Sequence, residues 1–574
     1  MAFEILTRND TTWQIEATVA NKTEAEEVAT QMLSGTGVNG VRVVLEQTLI
    51  NKAIDQLEDE DIVFEKLKEI GQEKVFINDI DDAPSCAKAQ DLLNTDSRKT
   101  INRLFRRYLD KNNITGMEAL HNNKELKRVM DADSLVPSAI AKVVKLQVGS
   151  EQQIANDRRD ILFKFIQEIT EDARKAEEKQ LPRINGTDFE TALLALDDIT
   201  QEDSDFDYLL NTVITRELID TRDWWGKLAQ CIGWATSATD PRVLPALDKF
   251  LAEILANNSV VQDLLGNQPD LGSAIIEMLD LSSGTLTMGN IEEMQTGSIE
   301  QTKAQLNLLL SSETFKECHI TLADRVSQQI KGATALSKTG SEGDRERFNA
   351  ILERLIIKDQ VLGGKNTAQA ITERQSRLLN KGGLTGLKEA VDTIVYSLQS
   401  PSRKAAFLLS LWNSKKGAEQ LSDHIQEQIN LIFLQSTSLG DVVDSNLPPN
   451  QKMQQVTSSF YQIEKSTIDD EQKQKILTNL DELLFSYIEE SKIMTKINSP
   501  DRPVHLRALM LVGMCQPEML PRGKASEIPR GILKDRLKQP NFNSDLVAQI
   551  DDPQEKDKII NRFQEQLKRA ELIS

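Results

Sequence analysis

The chain has 574 residues, and its 68 Lys and Arg face 89 Asp and Glu for a formal charge of -21. Hydrophobic residues at 39% support packed cores and exclude wholesale disorder. The negative field repels nucleic-acid phosphates and anionic lipid surfaces, so neither is the expected partner. Only 27 glycines and 16 prolines are present, against averages of about 7% and about 5%, and that scarcity favours helix.

Four cysteines, Cys86, Cys231, Cys318 and Cys515, have no short spacing between any pair. Neither a disulfide framework nor a C-x-x-C site is expected, and a reducing, cytoplasmic location fits. The first ten residues meet charge too early for a signal peptide. The longest apolar stretches, Ala405 to Trp412 and Leu506 to Met514, are under half a bilayer span, so no membrane insertion is expected.

In chain order, Phe3 to Thr7 and the alternating Trp13, Ile15, Ala17 and Val19 predict a hairpin turning at Asn9-Asp10. Thr23 with Glu26 is a capping-box pattern for a helix to about Leu33, and Val41 to Leu45 predicts a third strand. Residues 1–46 therefore read as a small ββαβ module. From about residue 48 the pattern turns helical.

Thr100 to Lys111 places Ile101, Leu104, Phe105, Tyr108 and Leu109 on one face of a predicted helix. Thr115 with Glu118, and Thr187 with Glu190, repeat the capping signature. Further helices are predicted at Ile154 to Ala173, Trp224 to Ile232, Leu247 to Leu255, Phe348 to Ile357, Leu421 to Leu434, Ile476 to Ile488 and Ile559 to Ala570. Turn-forming residues gather at 180–186, 281–297, 331–344 and 435–452. These breaks suggest helical domains at 47–180, 181–298, 299–440 and 441–574. No fixed repeat period is present, so the expectation is a mainly α chain: an irregular array of helical hairpins behind the small α+β module.

Two segments resemble parts of uncharacterised helical proteins of alphaproteobacteria. They are Cys86 to Lys111, ending Arg-Lys-Thr-Ile-Asn-Arg-Leu-Phe-Arg-Arg-Tyr-Leu-Asp-Lys, and Val261-Gln-Asp-Leu-Leu-Gly-Asn-Gln-Pro-Asp-Leu-Gly272. Those proteins can open with a similar small module near signalling domains. The resemblance implies a regulatory role and carries over no functional residue.

Each chemical motif has a blander reading that the context favours. Gly35-Thr36-Gly37-Val38-Asn39-Gly40 matches G-x-G-x-x-G, but follows a helix and leads into a strand, the reverse of a dinucleotide cradle. Gly363-Gly364-Lys365-Asn366-Thr367 resembles a phosphate loop with Asp359 at the first glycine position and Asn366 after the lysine, so a helix-to-helix turn is expected. Asp203, Asp205 and Asp207 have calcium-loop spacing, yet Tyr208 replaces the turn glycine and Ile214 the bidentate glutamate. His121, His319, His424 and His505 form no ligand pair. Trp224, Trp225, Leu228, Cys231 and Ile232, with Trp234 beyond, read as a core stripe. No catalytic set, metal site or cofactor is expected.

Two basic clusters remain. Lys99, Arg103, Arg106 and Arg107 lie opposite the apolar face of the Thr100–Lys111 helix, a ridge suited to an acidic partner or to solvent. Arg522, Lys524, Arg530, Lys534, Arg536 and Lys538 form the second, diluted by Glu527 and Asp535. The expected function is a non-enzymatic helical scaffold or regulatory protein that binds other proteins, with Lys99, Arg103, Arg106, Arg107, Arg530 and Lys534 as candidate partner-binding residues. The alternative is an enzyme whose site is assembled from dispersed side chains, and a third reading is nucleic-acid binding through the basic clusters.

Overall fold

A computed structural model describes residues 2–9, 12–33, 38, 40–46, 62–67, 77–132, 134–148, 152–184, 186, 188–200, 203–357, 359–444 and 446–573. The fold is mainly α, with a small antiparallel sheet near the N-terminus. Two compact units divide it. One holds residues 1–85, 103–111 and 127–164, the other residues 86–102, 112–126 and 165–574.

In the first unit, β1 (Phe3–Asn9), β2 (Thr12–Val19), β3 (Gly40–Leu45) and β4 (Ile62–Leu67) form a sheet of order β2-β1-β3-β4. Ile5, Val41 and Val43 face the Lys22–Leu33 helix, which buries Ala25, Ala29 and Leu33 at i, i+4 and i+8. Alanines on that stripe let the helix backbone approach the sheet closely. That helix opens two residues earlier than the Thr23 signature implies, because the Asn21 side chain accepts the Thr23 amide at 3.0 Å. A bulge at Glu16, between the Ile5–Ala17 and Leu6–Ile15 pairs, splits the Trp13-to-Val19 alternation across both faces. Ala17 and Val19 stay against the helix, whereas Trp13 lies beneath the Arg42 guanidinium, 4.3 Å from its ring centre.

β4 is a difference from the sequence reading, which places helix from residue 48 onward. Ile62, Val63 and Phe64 are a β-branched and aromatic run, and they pair antiparallel with β3, Phe64 opposite Val43. The Gly35, Thr36, Gly37 and Asn39 positions of the glycine motif, Asp10 of the expected turn and Thr187 of the third capping box lie outside the described residues.

The helix expected over Thr100–Lys111 is two, Thr95–Leu104 and Arg106–Asn112. The Leu104 carbonyl accepts the Asn78 amide at 2.9 Å where the first helix ends, with Phe105 between the two. Leu104 also packs with Ile80 and Ala139.

The second unit is built on one continuous apolar core, running from Met117 to Ala570. Most predicted helices are present with longer bounds, among them Trp224–Ser237, Val243–Leu255, Asp470–Glu490 and Pro553–Arg569, whereas the helix expected over Leu421 to Leu434 spans Ser422–Phe433. Leu228, Cys231, Ile232 and Trp234 are buried as the stripe predicts, with Trp224 and Trp225 packed at the core's edge. The breaks at 281–297, 331–344 and 435–452 contain loops, yet Leu336, Leu439 and Val443 within two of them are buried in the same core.

Between the Ser341–Leu355 and Gly364–Leu378 helices lies more than a turn. Ile356–Ile357 pairs with Gln360–Val361 in a minimal hairpin, with Asp359 left-handed at φ 60° and Gly363 at φ 75°. The Phe348 helix therefore stops at Leu355, short of the expected Ile357. Among the described residues no helix is long and apolar enough to cross a membrane.

Candidate functional site

The Thr115–Glu118 capping box forms as its spacing predicts. Thr115 Oγ1 accepts the Glu118 amide at 3.1 Å and Glu118 Oε2 accepts the Thr115 amide at 2.8 Å, opening a helix of one turn, Gly116–Leu120. The box is buried, and Glu118 Oε1 also accepts the Lys227 ammonium, so the cap doubles as an internal ion pair. Burial pushes the Glu118 carboxyl up from its ordinary range against the pull of Lys227.

A second buried pair clamps the same turn from the Val243–Leu255 helix. Glu253 accepts Arg98 Nη1 at 2.7 Å and the Met117 amide at 2.8 Å. Arg98 reaches onward to Glu317, and Asp248 accepts the Glu317 and Cys318 amides at 2.8 and 3.0 Å. Burial disfavours the Arg98 charge, but Glu253 and Glu317 outweigh it and hold the guanidinium charged.

This scaffold ends in His121, the residue that closes the turn and is 3% exposed. Its Nδ1 lies 2.9 Å from the Met117 carbonyl. A carbonyl only accepts, so Nδ1 carries the proton and the neutral ring presents its lone pair at Nε2. Burial lowers the His121 pKa from 6.5 to about 4, with nearby Lys249 and Arg98 adding to the shift against the Met117 hydrogen bond. The ring stacks obliquely on Tyr208, centroids 4.8 Å apart.

His121, Tyr208 and Asn211 line a cavity of about 730 Å³, within the size range of small-molecule sites. Among the described residues, His121 Nε2, the Tyr208 hydroxyl and Asn211 Oδ1 are each buried with no hydrogen-bond partner. Burying such a group unpaired costs about 1–3 kcal/mol, and three residues of this one lining each carry such an atom. Lys88, Lys175, Lys179 and Lys249 line the same cavity, as do Asp172, Asp205 and Asp207. Burial raises the Asp172 carboxyl and the Tyr208 hydroxyl, and burial followed by Arg98 lowers Lys249. Shifted groups that share one cavity are a physical signature of a working site.

The cavity draws on residues the sequence presents as unrelated. His121 is there one of four scattered histidines, and Asp205 and Asp207 belong to the acidic triplet with calcium spacing. In the structure those two aspartates are exposed on a continuous helix, Asp203–Leu218, which holds them as solvated acids at a rim. Among the described residues, no three His, Cys, Asp or Glu side chains gather as metal ligands.

The basic candidates are dispersed. Lys99 pairs with Asp324 at 3.2 Å and Arg106 with Asp110 at 2.9 Å, while Arg103 and Arg107 are exposed. Lys99 and Arg103 stand four positions apart on the Thr95–Leu104 helix, while Arg106 and Arg107 open the next helix, Arg106–Asn112. In the second cluster Arg530 donates to the Ala570 carbonyl at 3.0 Å and to Cys515 at 3.4 Å, and Lys534 is exposed. Arg522 pairs with Glu571, and the Lys524 ammonium sits 4.2 Å from the Phe485 ring centre.

Comparison with protein-family models, with curated proteins and with solved structures finds no match to this chain.

Proposed function

We propose that this is a helical, non-enzymatic regulatory protein that binds a small polar ligand in the His121 cavity and relays its occupancy to protein partners. One observation carries the reading: three buried polar atoms, on His121, Tyr208 and Asn211, lack partners and belong to the wall of a single cavity. Four lysines around it favour a ligand with an anionic group, and the Nε2 lone pair favours one that also donates a hydrogen bond. The cytoplasmic location and the setting in bacterial signalling belong to the proposal, the second resting on the resemblance of residues 86–111 and 261–272 alone.

A thermal-shift screen of the full chain against polar and anionic metabolites tests it, since a ligand that binds only the folded state raises the melting temperature. Stabilisation by a hit should disappear in His121→Phe and Asn211→Leu. A shift that persists undiminished in both variants would place the ligand elsewhere and defeat the assignment.

A second reading is supported by the same wall. His121, and Asp172 with its carboxyl held above the ordinary range by burial, line one cavity and are residue types that serve in acid–base chemistry. Chemical conversion of the bound hit by the wild-type chain, and not by His121→Phe, would replace binding with catalysis.

A further inference from the structure

A second cavity, of about 490 Å³, opens between the C-terminal helices of the larger unit and is lined by Asn498, Arg507, Asp535, Arg536 and Gln539 among others. Arg507 comes from the Val504–Met514 helix and Arg536 from the Lys524–Leu537 helix. Arg536 donates to the neutral Asn498 side chain, and Arg507 Nε is buried with no hydrogen-bond partner among the described residues. Among the described residues neither guanidinium pairs with a carboxylate, in a chain that has 89 of them. Asp535 is exposed and turned to Lys538 at 3.7 Å, and Asp545, also at this cavity, is exposed.

Two guanidiniums line this space with two exposed carboxylates, Asp535 and Asp545, and among the described residues neither guanidinium forms an ion pair with them. Burial and then Arg507 press the Arg536 charge downward, so the pair is held together against its own repulsion. A guanidinium presents a planar fork of donors that fits oxyanions through paired hydrogen bonds, and two forks around one cavity fit a tetrahedral dianion better than a carboxylate. We propose that Arg507 and Arg536 form a binding site for a phosphate group, with Asn498 and Gln539 supplying neutral hydrogen bonds. The site is distinct from the His121 cavity and does not depend on it.

Titration calorimetry of the full chain with inorganic phosphate, in low-salt buffer free of other oxyanions, tests this. One saturable site is expected, weakened at least about tenfold in Arg507→Gln and in Arg536→Gln and partly kept in Arg536→Lys. Asn211→Leu, at the other cavity, should leave it unchanged. Phenyl phosphate separates the sources: tighter binding than the free ion assigns a phosphate ester, and equal binding assigns phosphate itself. Because Arg507 makes no ion pair, Arg507→Gln should melt close to wild type, which keeps the comparison interpretable. No saturable heat, or an affinity unchanged from wild type in both glutamine variants, overturns the proposal; so does loss of binding in Asn211→Leu alone.

Discussion

Arg98 and Glu253, 155 positions apart in the chain, meet at 2.7 Å with side chains 2% and 7% exposed. The pair does more than join two segments. Glu253 spends its other oxygen on the Met117 amide, and the Met117 carbonyl in turn fixes the His121 ring. An ion pair thus determines where the histidine of the cavity wall stands.

Arg98→Met should therefore be severely destabilising. It leaves Glu253 and Glu317 facing each other without their cation, and breaking a buried pair from one side costs about 3–5 kcal/mol. Urea denaturation should show the midpoint falling by that equivalent with the slope unchanged. A loss below about 1 kcal/mol would mean that solvent reaches the pair and screens it.

His121 predicts a pH dependence of defined sign. Its folded pKa, about 4, lies below the ordinary 6.5, so the unfolded chain takes up a proton more readily. The stability tied to its neutral form is complete above pH 6.5 and is lost as pH falls toward 4, by up to about 3 kcal/mol. Denaturation midpoints of wild type and His121→Phe should converge or cross over that interval. Parallel curves would show that the ring is solvated and titrates normally. Asp172, raised by burial, works in the opposite sense, and its contribution fades as pH rises.

Asn211→Leu tests whether the wall is kept for a ligand at the expense of stability. Asn211 is 5% exposed with Oδ1 unpartnered, and replacing such a group with an apolar one of similar size removes a desolvation penalty. The variant should gain about 1 kcal/mol of stability while losing the ligand. A loss of stability in calorimetric melting would show instead that the amide is satisfied by ordered water as part of the fold.

How much of this was legible in the sequence depends on the range of the interaction. Local signals read well: the Thr115–Glu118 box, the tryptophan stripe and the mainly α character rest on spacings of three and four residues. The break at Phe105 did not, and the contact found beside it, the Asn78 amide on the Leu104 carbonyl, spans 26 positions. The fourth strand had a signal in Ile62-Val63-Phe64, but nothing local shows that β3 has an open edge to receive it. The cavity was the least legible part. His121, Asp172, Tyr208 and Lys249 come from four helical segments and acquire their character only from burial together. Of the basic residues read as an interface, Arg106, Arg530 and Lys99 are engaged within the protein, since charge density in sequence does not reveal which charges find partners.

The cysteines give the last prediction. Cys86, Cys231, Cys318 and Cys515 are all buried and none is disulfide-bonded. Burial raises Cys231, with Glu118 adding to it, and Cys318, with Asp248 adding to it; burial lifts Cys515 from 9.0 to about 11. Only the thiolate attacks a disulfide reagent, so a rise of two units cuts the reactive fraction by about a hundredfold, before steric protection is counted. Ellman's reagent at pH 8 should label the native chain slowly, at a rate set by opening of the fold, and label all four thiols at once in denaturant. Arg98→Met should speed labelling of Cys318 above all, because Glu317 and Asp248 join that thiol to the ion-pair network. Rapid labelling of Cys231 or Cys318 in the wild-type chain would show that the network does not hold this part of the core closed.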